Sequence, residues 1–185
     1  MNTVAAAPLV RIPSAFLAAT RRGLGHGRSP VDSAMLLRQV GYESGEAFHA
    51  ALEEWVARER GGSSPGSLPQ DEFWAAFEEF WEEMGWGTVR HQALHAGIGA
   101  LDCTGWTEAA AARDAGEQFC HFSTGVFADL LGRVAGTEVA VMEVECEAAG
   151  GGRCRFLFGG AAALGGVYEG MSQGLSWHEA LSRLA

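Results

Sequence analysis

Residues 138–158 read EVAVMEVECEAAGGGRCRFLF, and this stretch decides the fold class. Its two ends are rich in valine and phenylalanine, and the segment AAGGG between them supplies turn residues, so the stretch predicts a β-hairpin. A second pair of strands is predicted over Thr88–Asp102, where Ala96 and Gly97 mark the turn. Because each pair is joined by a short turn, both pairs are expected to be antiparallel.

Apolar residues at helical spacing flank these strands. The predicted helices are Ser33–Val40, Glu46–Arg60, Asp71–Met84, Ala115–Val134, Ala161–Gln173 and Ser176–Leu184. Gly136 is expected to end the fourth helix, and Ser176 followed by Glu179 predicts a capping box at the last. This order of elements predicts an α+β fold, an antiparallel four-stranded sheet covered by helices. Residues 1–30 are predicted to form an N-terminal arm with one short helix, and residues 31–185 a single domain.

Charge and composition exclude several classes of protein. Thirteen basic and 23 acidic residues give a formal net charge of −10, which argues against nucleic acid or an anionic membrane as the main partner. All the basic residues are arginines, and the absence of lysine excludes Schiff-base enzymes and a Walker A loop. No uninterrupted apolar stretch is long enough to span a membrane, and the first residues make a poor signal peptide. We therefore expect a cytoplasmic protein.

Three of the four cysteines are placed to meet. Cys146 and Cys154 stand at the two ends of the glycine-rich turn, and Cys120 lies near the start of the preceding helix. Three thiolates need one more ligand for tetrahedral zinc, and carboxylates or an imidazole are available nearby. Those candidates are Glu143, Glu145, Glu147 and His121. The spacing is equally compatible with buried core cysteines, and Cys146 and Cys154 could form a disulfide in an oxidising compartment.

Several segments resemble one known family. They are Leu36–Phe48, the GWG of residues 85–87, Phe119–Gly136, Met142–Cys146 and Cys154–Phe156. Together they resemble the V4R (4-vinyl reductase) domain family, which includes sensory domains of phenol- and xylene-responsive activators and a protein of bacteriochlorophyll synthesis. That family shares its fold with the Bet3 subunits of vesicle-tethering complexes, so the resemblance implies a V4R/Bet3-like fold.

The resemblance also implies a structural zinc site made of Cys120, Glu143, Cys146 and Cys154. Residues three apart on a regular strand point to opposite faces, so Glu143 and Cys146 can share a metal only if the strand bends or ends between them. Otherwise Glu145 or Glu147 becomes the better fourth ligand.

A small-molecule pocket between helices and sheet is a further implication of the resemblance. In the phenol sensors a Trp after the second strand and a His near the end of the helix before the first strand contact the ligand. Trp106 matches that Trp, whereas Trp81 stands where the His would be, which favours a bulkier or less polar ligand. Six Trp and ten Phe are compatible with an aromatic lining, although they could equally be core residues. The predicted ligand-binding residues are Trp81, Trp106, Phe77 and Phe119.

Three functions follow as hypotheses. The first is a zinc-stabilised domain that binds a hydrophobic or aromatic small molecule as a sensor, carrier or chaperone. The second is a tetrapyrrole 4-vinyl reductase, or an accessory protein, of (bacterio)chlorophyll biosynthesis. We rank catalysis lower because the glycine runs do not form a nicotinamide or flavin fingerprint. The third is a structural dimerisation or scaffold domain. A homodimer is expected, with the N-terminal segment and the helix Glu46–Arg60 offering an apolar stripe.

Overall fold

The computed structural model describes residues 13–112 and 119–184, and within them it contains one four-stranded sheet. The strands are β1 (Thr88–His95), β2 (Ile98–Thr104), β3 (Ala140–Glu145) and β4 (Cys154–Gly159). Their order across the sheet is β1-β2-β4-β3, and every neighbouring pair is antiparallel. The two predicted hairpins are therefore present, and β2 and β4 join them in the middle of the sheet.

Helices precede, separate and follow the two hairpins. They are α1 (Ser14–Gly25), α2 (Pro30–Glu59), α3 (Gln70–Glu83), α4 (Thr107–Ala110), α5 (His121–Ala135), α6 (Ala161–Ser172) and α7 (Trp177–Ser182). Short 3-10 turns occupy Pro65–Ser67 and Glu147–Ala149. The predicted α+β class, an antiparallel four-stranded sheet covered by helices, is confirmed. The predicted capping box at Ser176 and Glu179 is present as well.

Helix α2 is continuous where the sequence predicts two helices, Ser33–Val40 and Glu46–Arg60. The prediction breaks at Gly41 and Gly45 because glycine weakens a helix interior. In the structure both glycines lie where α2 crosses α5. A Cβ at Gly41 would collide with the carbonyl oxygen of Phe122, and one at Gly45 would collide with the side chain of Asp129. These glycines therefore permit close helix packing instead of ending the helix.

Helix α5 begins later than predicted. Residues 115–118 of the predicted helix Ala115–Val134 lie outside the described residues, and the helix starts at His121. Cys120 is its N-cap residue, with φ −83° and ψ 52°, so this cysteine precedes the first turn and is not part of it. At the other end Gly136 closes the helix with φ +65°, as expected.

The sheet is covered on both faces. Helices α2, α3 and α5 pack on one face around a core that includes Phe77, Trp81 and Phe127. Helices α6 and α7 cover the other face through a smaller core that contains Leu157 and Val167. Of the N-terminal arm, residues 1–12 lie outside the described residues, and the remainder contains α1, which lies beside α2 and α4. Among the described helices, none combines the length and the hydropathy needed to cross a bilayer.

Candidate metal centre and ligand cavity

Cys120, Glu143, Cys146 and Cys154 converge at one end of the sheet. All four are buried, and one potential ligand atom from each lies within 4.8 Å of the others. The three pairs of sulfur atoms are 3.6, 3.9 and 4.0 Å apart. A tetrahedral zinc ion with Zn–S bonds of about 2.3 Å requires sulfurs about 3.8 Å apart. The three sulfur–sulfur distances are therefore close to the one that a zinc site requires. They are much longer than the S–S bond of a disulfide.

A β-bulge explains how Glu143 and Cys146 reach the same side of the sheet. Glu143 pairs with Phe156 on β4, but Glu145 pairs with the very next residue, Arg155. Val144 is therefore the extra residue, and it reverses the alternation of side chains between Glu143 and Glu145. Cys146 follows immediately after the end of β3. The strand thus bends and then ends between the two candidate ligands, as their sharing of a metal requires.

The other carboxylates have different partners. Glu145 lies 3.0 Å from the guanidinium of Arg153 and accepts a hydrogen bond from the Trp177 indole at 3.1 Å. Glu147 accepts the backbone N–H groups of Gly105 and Trp106 at 2.9 and 3.0 Å. Neither belongs to the metal-competent cluster, and His121 does not either. Within the described part of the chain, Glu143 is the carboxylate that the fold presents to the three cysteines.

Glu143 has the environment expected of a metal ligand. Its Oε2 accepts the backbone N–H of Cys120 at 3.2 Å, whereas its buried Oε1 has no hydrogen-bond partner among the described residues. Burial, reinforced by the charge of Cys146, raises the pKa of Glu143 to about 9. An unpaired carboxylate oxygen facing three sulfurs is costly in isolation, and a bound cation would satisfy it. The donor set of three thiolates and one carboxylate fits Zn²⁺.

Of the three thiols in the cluster, Cys146 is the one that loses its proton most readily, because hydrogen bonding to Cys146 raises the pKa of Cys120 and of Cys154. Hydrogen bonds from the thiols of Cys120 and then Cys154 lower the pKa of Cys146. The backbone N–H of Glu147 lies 3.4 Å from the Cys154 sulfur and is positioned to donate to it. Cys103 lies opposite Cys154 on β2, but burial raises its pKa and it is outside the cluster.

A cavity of about 300 Å³ lies beside this cluster, beneath α1. Its walls are mostly apolar and come from α1, α2, the turn after α3, α4 with the residue that follows it, and the start of α5 with the segment just before it. They are formed by Phe16, Leu17, Thr20, Arg21, Leu24, Leu37, Val40, Phe48, Trp86, Glu108, Ala111, Phe119 and Phe122. Phe119, which lines the cavity, is the residue immediately before Cys120, so the cavity wall adjoins the metal-competent cluster.

Glu108 is a buried acid on the cavity wall. Its Oε1 accepts the N–H of Phe122 at 3.0 Å, and its Oε2 accepts the N–H and hydroxyl of Ser123 at 2.8 and 2.5 Å. Glu108 therefore accepts the free backbone N–H groups in the first turn of α5. The N-cap residue Cys120 does not cap them, because its sulfur points into the cluster. Burial raises the pKa of Glu108 to about 7.

Comparison with protein families gives a match in the central part of the chain. Residues 101–159 match the V4R domain. This stretch contains all four residues of the metal-competent cluster together with Trp106 and Phe119, and it confirms the resemblance drawn from the sequence. The comparison with curated proteins gives no match.

Solved structures share the fold of this chain at low sequence identity. The phenol-responsive sensory domain of the transcription activator PoxR, solved with phenol, is 19% identical with a TM-score of 0.64, covering 82% of this chain and 76% of that one. A vinyl-4-reductase family protein from Methanocaldococcus jannaschii is 14% identical with a TM-score of 0.51, covering 81% and 82%. A trafficking protein particle complex subunit 3 from Naegleria fowleri, covalently bound to palmitic acid, is 12% identical with a TM-score of 0.55, covering 79% and 93%. These likenesses show the V4R/Bet3-like fold.

The four predicted ligand-binding residues, Phe77, Trp81, Trp106 and Phe119, do not line one common cavity. Phe119 lines the cavity beneath α1, whereas Phe77, Trp81 and Trp106 are buried one layer deeper. The rings of Trp81 and Trp106 lie 5.6 Å apart between centroids, and the Trp106 indole donates to the Ser123 hydroxyl at 2.8 Å. Trp81 Nε1 is buried without a hydrogen-bond partner among the described residues. The space around these two indoles is too narrow for a water molecule.

Sequence reasoning missed Arg21 and Glu108. Arg21 falls in the segment predicted as a loose arm, although Leu17 and Leu24 stand four residues before and three after it and could have indicated a helical face. Glu108 is a lone acid in an alanine-rich run, and no pattern in the sequence distinguishes it from a surface glutamate. Both become visible only when α1 and α4 meet over the cavity.

Proposed function

We propose that this chain is a zinc-stabilised domain that binds a hydrophobic or aromatic small molecule. The observation that carries the proposal is the apolar cavity of about 300 Å³ whose wall residue Phe119 adjoins the metal-competent cluster. Small-molecule sites are typically concave, apolar and supplied with a few polar groups, and this cavity has that character. The PoxR domain with phenol and the Naegleria fowleri subunit with palmitic acid lend support, because proteins of this fold hold apolar ligands.

Zinc would have a structural role in this domain. Cys120, Glu143, Cys146 and Cys154 would supply four protein ligands, which closes the coordination shell and leaves no position for a substrate. When bound, the ion supplies a cross-link among the start of α5, the end of β3 and the start of β4. The chain's own contribution is to bury the site, to bend β3 at Val144 and to point the Cys120 sulfur away from its helix.

The ligand would occupy the cavity beneath α1 and could extend toward the predicted residues Trp81 and Trp106. Phe48, Trp86 and Phe122 line both the cavity and the narrow space around the two indoles, so they form the partition between them. Movement of these rings would join the two spaces and bring the Trp81 N–H, which has no partner within residues 13–112 and 119–184, into contact with a ligand. The volume of the cavity lies at the lower end of the range for ligand sites, which favours a single-ring aromatic or a short acyl chain over a tetrapyrrole.

The test is a native mass spectrum of the freshly purified full chain, recorded with its visible absorption spectrum. We expect a non-covalent guest of low mass that is released on denaturation and has no absorption in the visible. A tetrapyrrole would instead give visible bands and would favour the chlorophyll-pathway alternative. Homogeneous ligand-free protein that also fails to bind phenol, 4-methylphenol or decanoate by calorimetry would contradict the proposal and favour a scaffold role.

A further inference from the structure

Helix α1 covers the cavity, but little of the helix itself is removed from solvent. None of its twelve residues is buried, and Phe16 on its apolar face is 54% exposed. Its apolar residues Phe16, Leu17 and Leu24 line the cavity, so that part of their apolar surface faces open space. A helix this short is marginal in water, and in proteins it gains stability mainly from tertiary packing. Helix α1 therefore belongs to the part of the fold that opens at low free-energy cost.

Arg21 joins α1 to the far wall of the cavity. Its Nη1 donates a hydrogen bond of 2.9 Å to the carbonyl oxygen of Phe119, and its guanidinium carbon lies 3.1 Å from the centroid of the Phe119 ring. Phe119 precedes the metal-cluster residue Cys120, whose backbone N–H is bound by Glu143 at 3.2 Å. The attachment point of Arg21 is thus directly next to a residue of the metal-competent cluster.

We propose that α1 is the lid of the cavity and that Arg21 is its latch. This inference rests on the proposed function of the cavity as the ligand site. Outward movement of α1 removes one whole wall of the cavity and opens a path from solvent. A guest inside the cavity supplies the apolar face of α1 with the contacts that it lacks, so occupancy of the cavity holds the lid closed. Arg21 sets how often the empty lid opens, because its contacts with Phe119 break when α1 moves away.

The latch is tested by amide hydrogen exchange of the full zinc-loaded chain, read by mass spectrometry for peptides covering residues 14–25. Arg21→Gln should speed exchange in this segment about tenfold and leave α3 and β4 unchanged, since a charge-assisted hydrogen bond and a ring contact are lost locally. The matched control is Arg22→Gln, because Arg22 is the adjacent, exposed arginine of the same helix. It should leave exchange in α1 within twofold of wild type.

A second readout uses the neutral fluorophore N-phenyl-1-naphthylamine as the cavity probe. Arg21→Gln should raise the rate at which the probe binds in stopped-flow mixing, whereas Arg22→Gln should not, and probe binding should slow exchange in α1. The lid is overturned if Arg21→Gln leaves exchange in α1 at the wild-type rate, or if α1 and α3 exchange together in every variant. Failure of the probe to bind any of the three proteins would overturn the proposed ligand site instead, while the exchange comparison decides the latch independently.

Discussion

Glu143 is the residue that links strand geometry to metal chemistry. The bulge at Val144 turns its carboxylate toward the cysteines, and its Oε1 is buried without a partner among the described residues. Glu143→Gln removes the negative charge but keeps the shape, so we expect zinc affinity to fall at least about tenfold. Competition with a chromophoric chelator measures this. Glu145→Gln is the control, because Glu145 forms an ion pair with Arg153 and accepts a hydrogen bond from Trp177. An equal loss of zinc affinity in both variants would contradict the assignment of Glu143 as the fourth ligand.

The cysteines are distinguished by how each responds to zinc. Removing a thiolate ligand should abolish the stabilisation that zinc provides, worth several kcal/mol in structural sites. We therefore expect Cys146→Ala and Cys154→Ala to melt at the same temperature with and without chelator. Cys103→Ala should lose some stability through its buried cavity but should keep the full zinc-dependent shift in melting temperature. If all three variants keep that shift, these residues are packed cysteines and nothing more.

Glu108 should make stability depend on pH. Its pKa is about 7 when folded against an ordinary value of 4.5, because burial disfavours its charged form. The folded state therefore holds a proton that the unfolded state releases between pH 4.5 and 7, and stability falls as pH rises through that window. Zinc-saturated wild type should lose roughly 3 kcal/mol relative to Glu108→Gln over this range. Denaturant melts from pH 5 to 8 measure the difference, and a difference independent of pH would show that Glu108 does not titrate there.

Helix α2 and the β3–β4 hairpin mark the limit of what the sequence predicts. Apolar spacing and turn residues predict four strands and most helix bounds, because those signals are local. The continuity of α2 through Gly41 and Gly45 depends on α5 lying against it, which no local pattern reports. The cysteine spacing indicates a metal site, but the fourth ligand depends on a single extra residue, Val144, whose bulge is a property of strand pairing.

The crossing of α2 and α5 is the tightest helix contact at which a glycine can be tested. A Cβ at Gly125 would collide with the carbonyl oxygen of Arg38, so Gly125→Ala should destabilise the fold by about 1–3 kcal/mol through overpacking. Gly165→Ala in α6 is the control, because a Cβ there meets nothing within 4 Å. It should stabilise the helix by about 0.5–1 kcal/mol. Equal changes in the free energy of unfolding of both variants, measured by urea denaturation, would show that the α2–α5 crossing can accommodate a Cβ at Gly125.

At the scale of the whole molecule, the expected homodimer needs a different surface from the one that the sequence suggests. The apolar stripe of Glu46–Arg60 lies in the chain's own core, where Leu52 and Val56 have no exposed area. The exposed apolar side chains of α2 are Val31, Met35 and Tyr42, in its first half. We expect a dimer through this half, so Met35→Glu should shift sedimentation from about twice 19.6 kDa to the monomer mass. Tyr168→Glu, on exposed α6, is the control, and a monomeric wild type at micromolar concentration would contradict the prediction.

The zinc ion is the component on which the whole account depends, because it would fix Phe119 and Cys120 between the cavity and the sheet. The most direct measurement is the zinc content of the full chain by plasma mass spectrometry, after purification without added metal and without chelator. We predict one zinc per chain, with Cys120, Cys146 and Cys154 unreactive toward a thiol reagent until chelator is added. A content below about a tenth of an equivalent, with those three thiols unprotected by metal and equally reactive with and without chelator, would contradict the account.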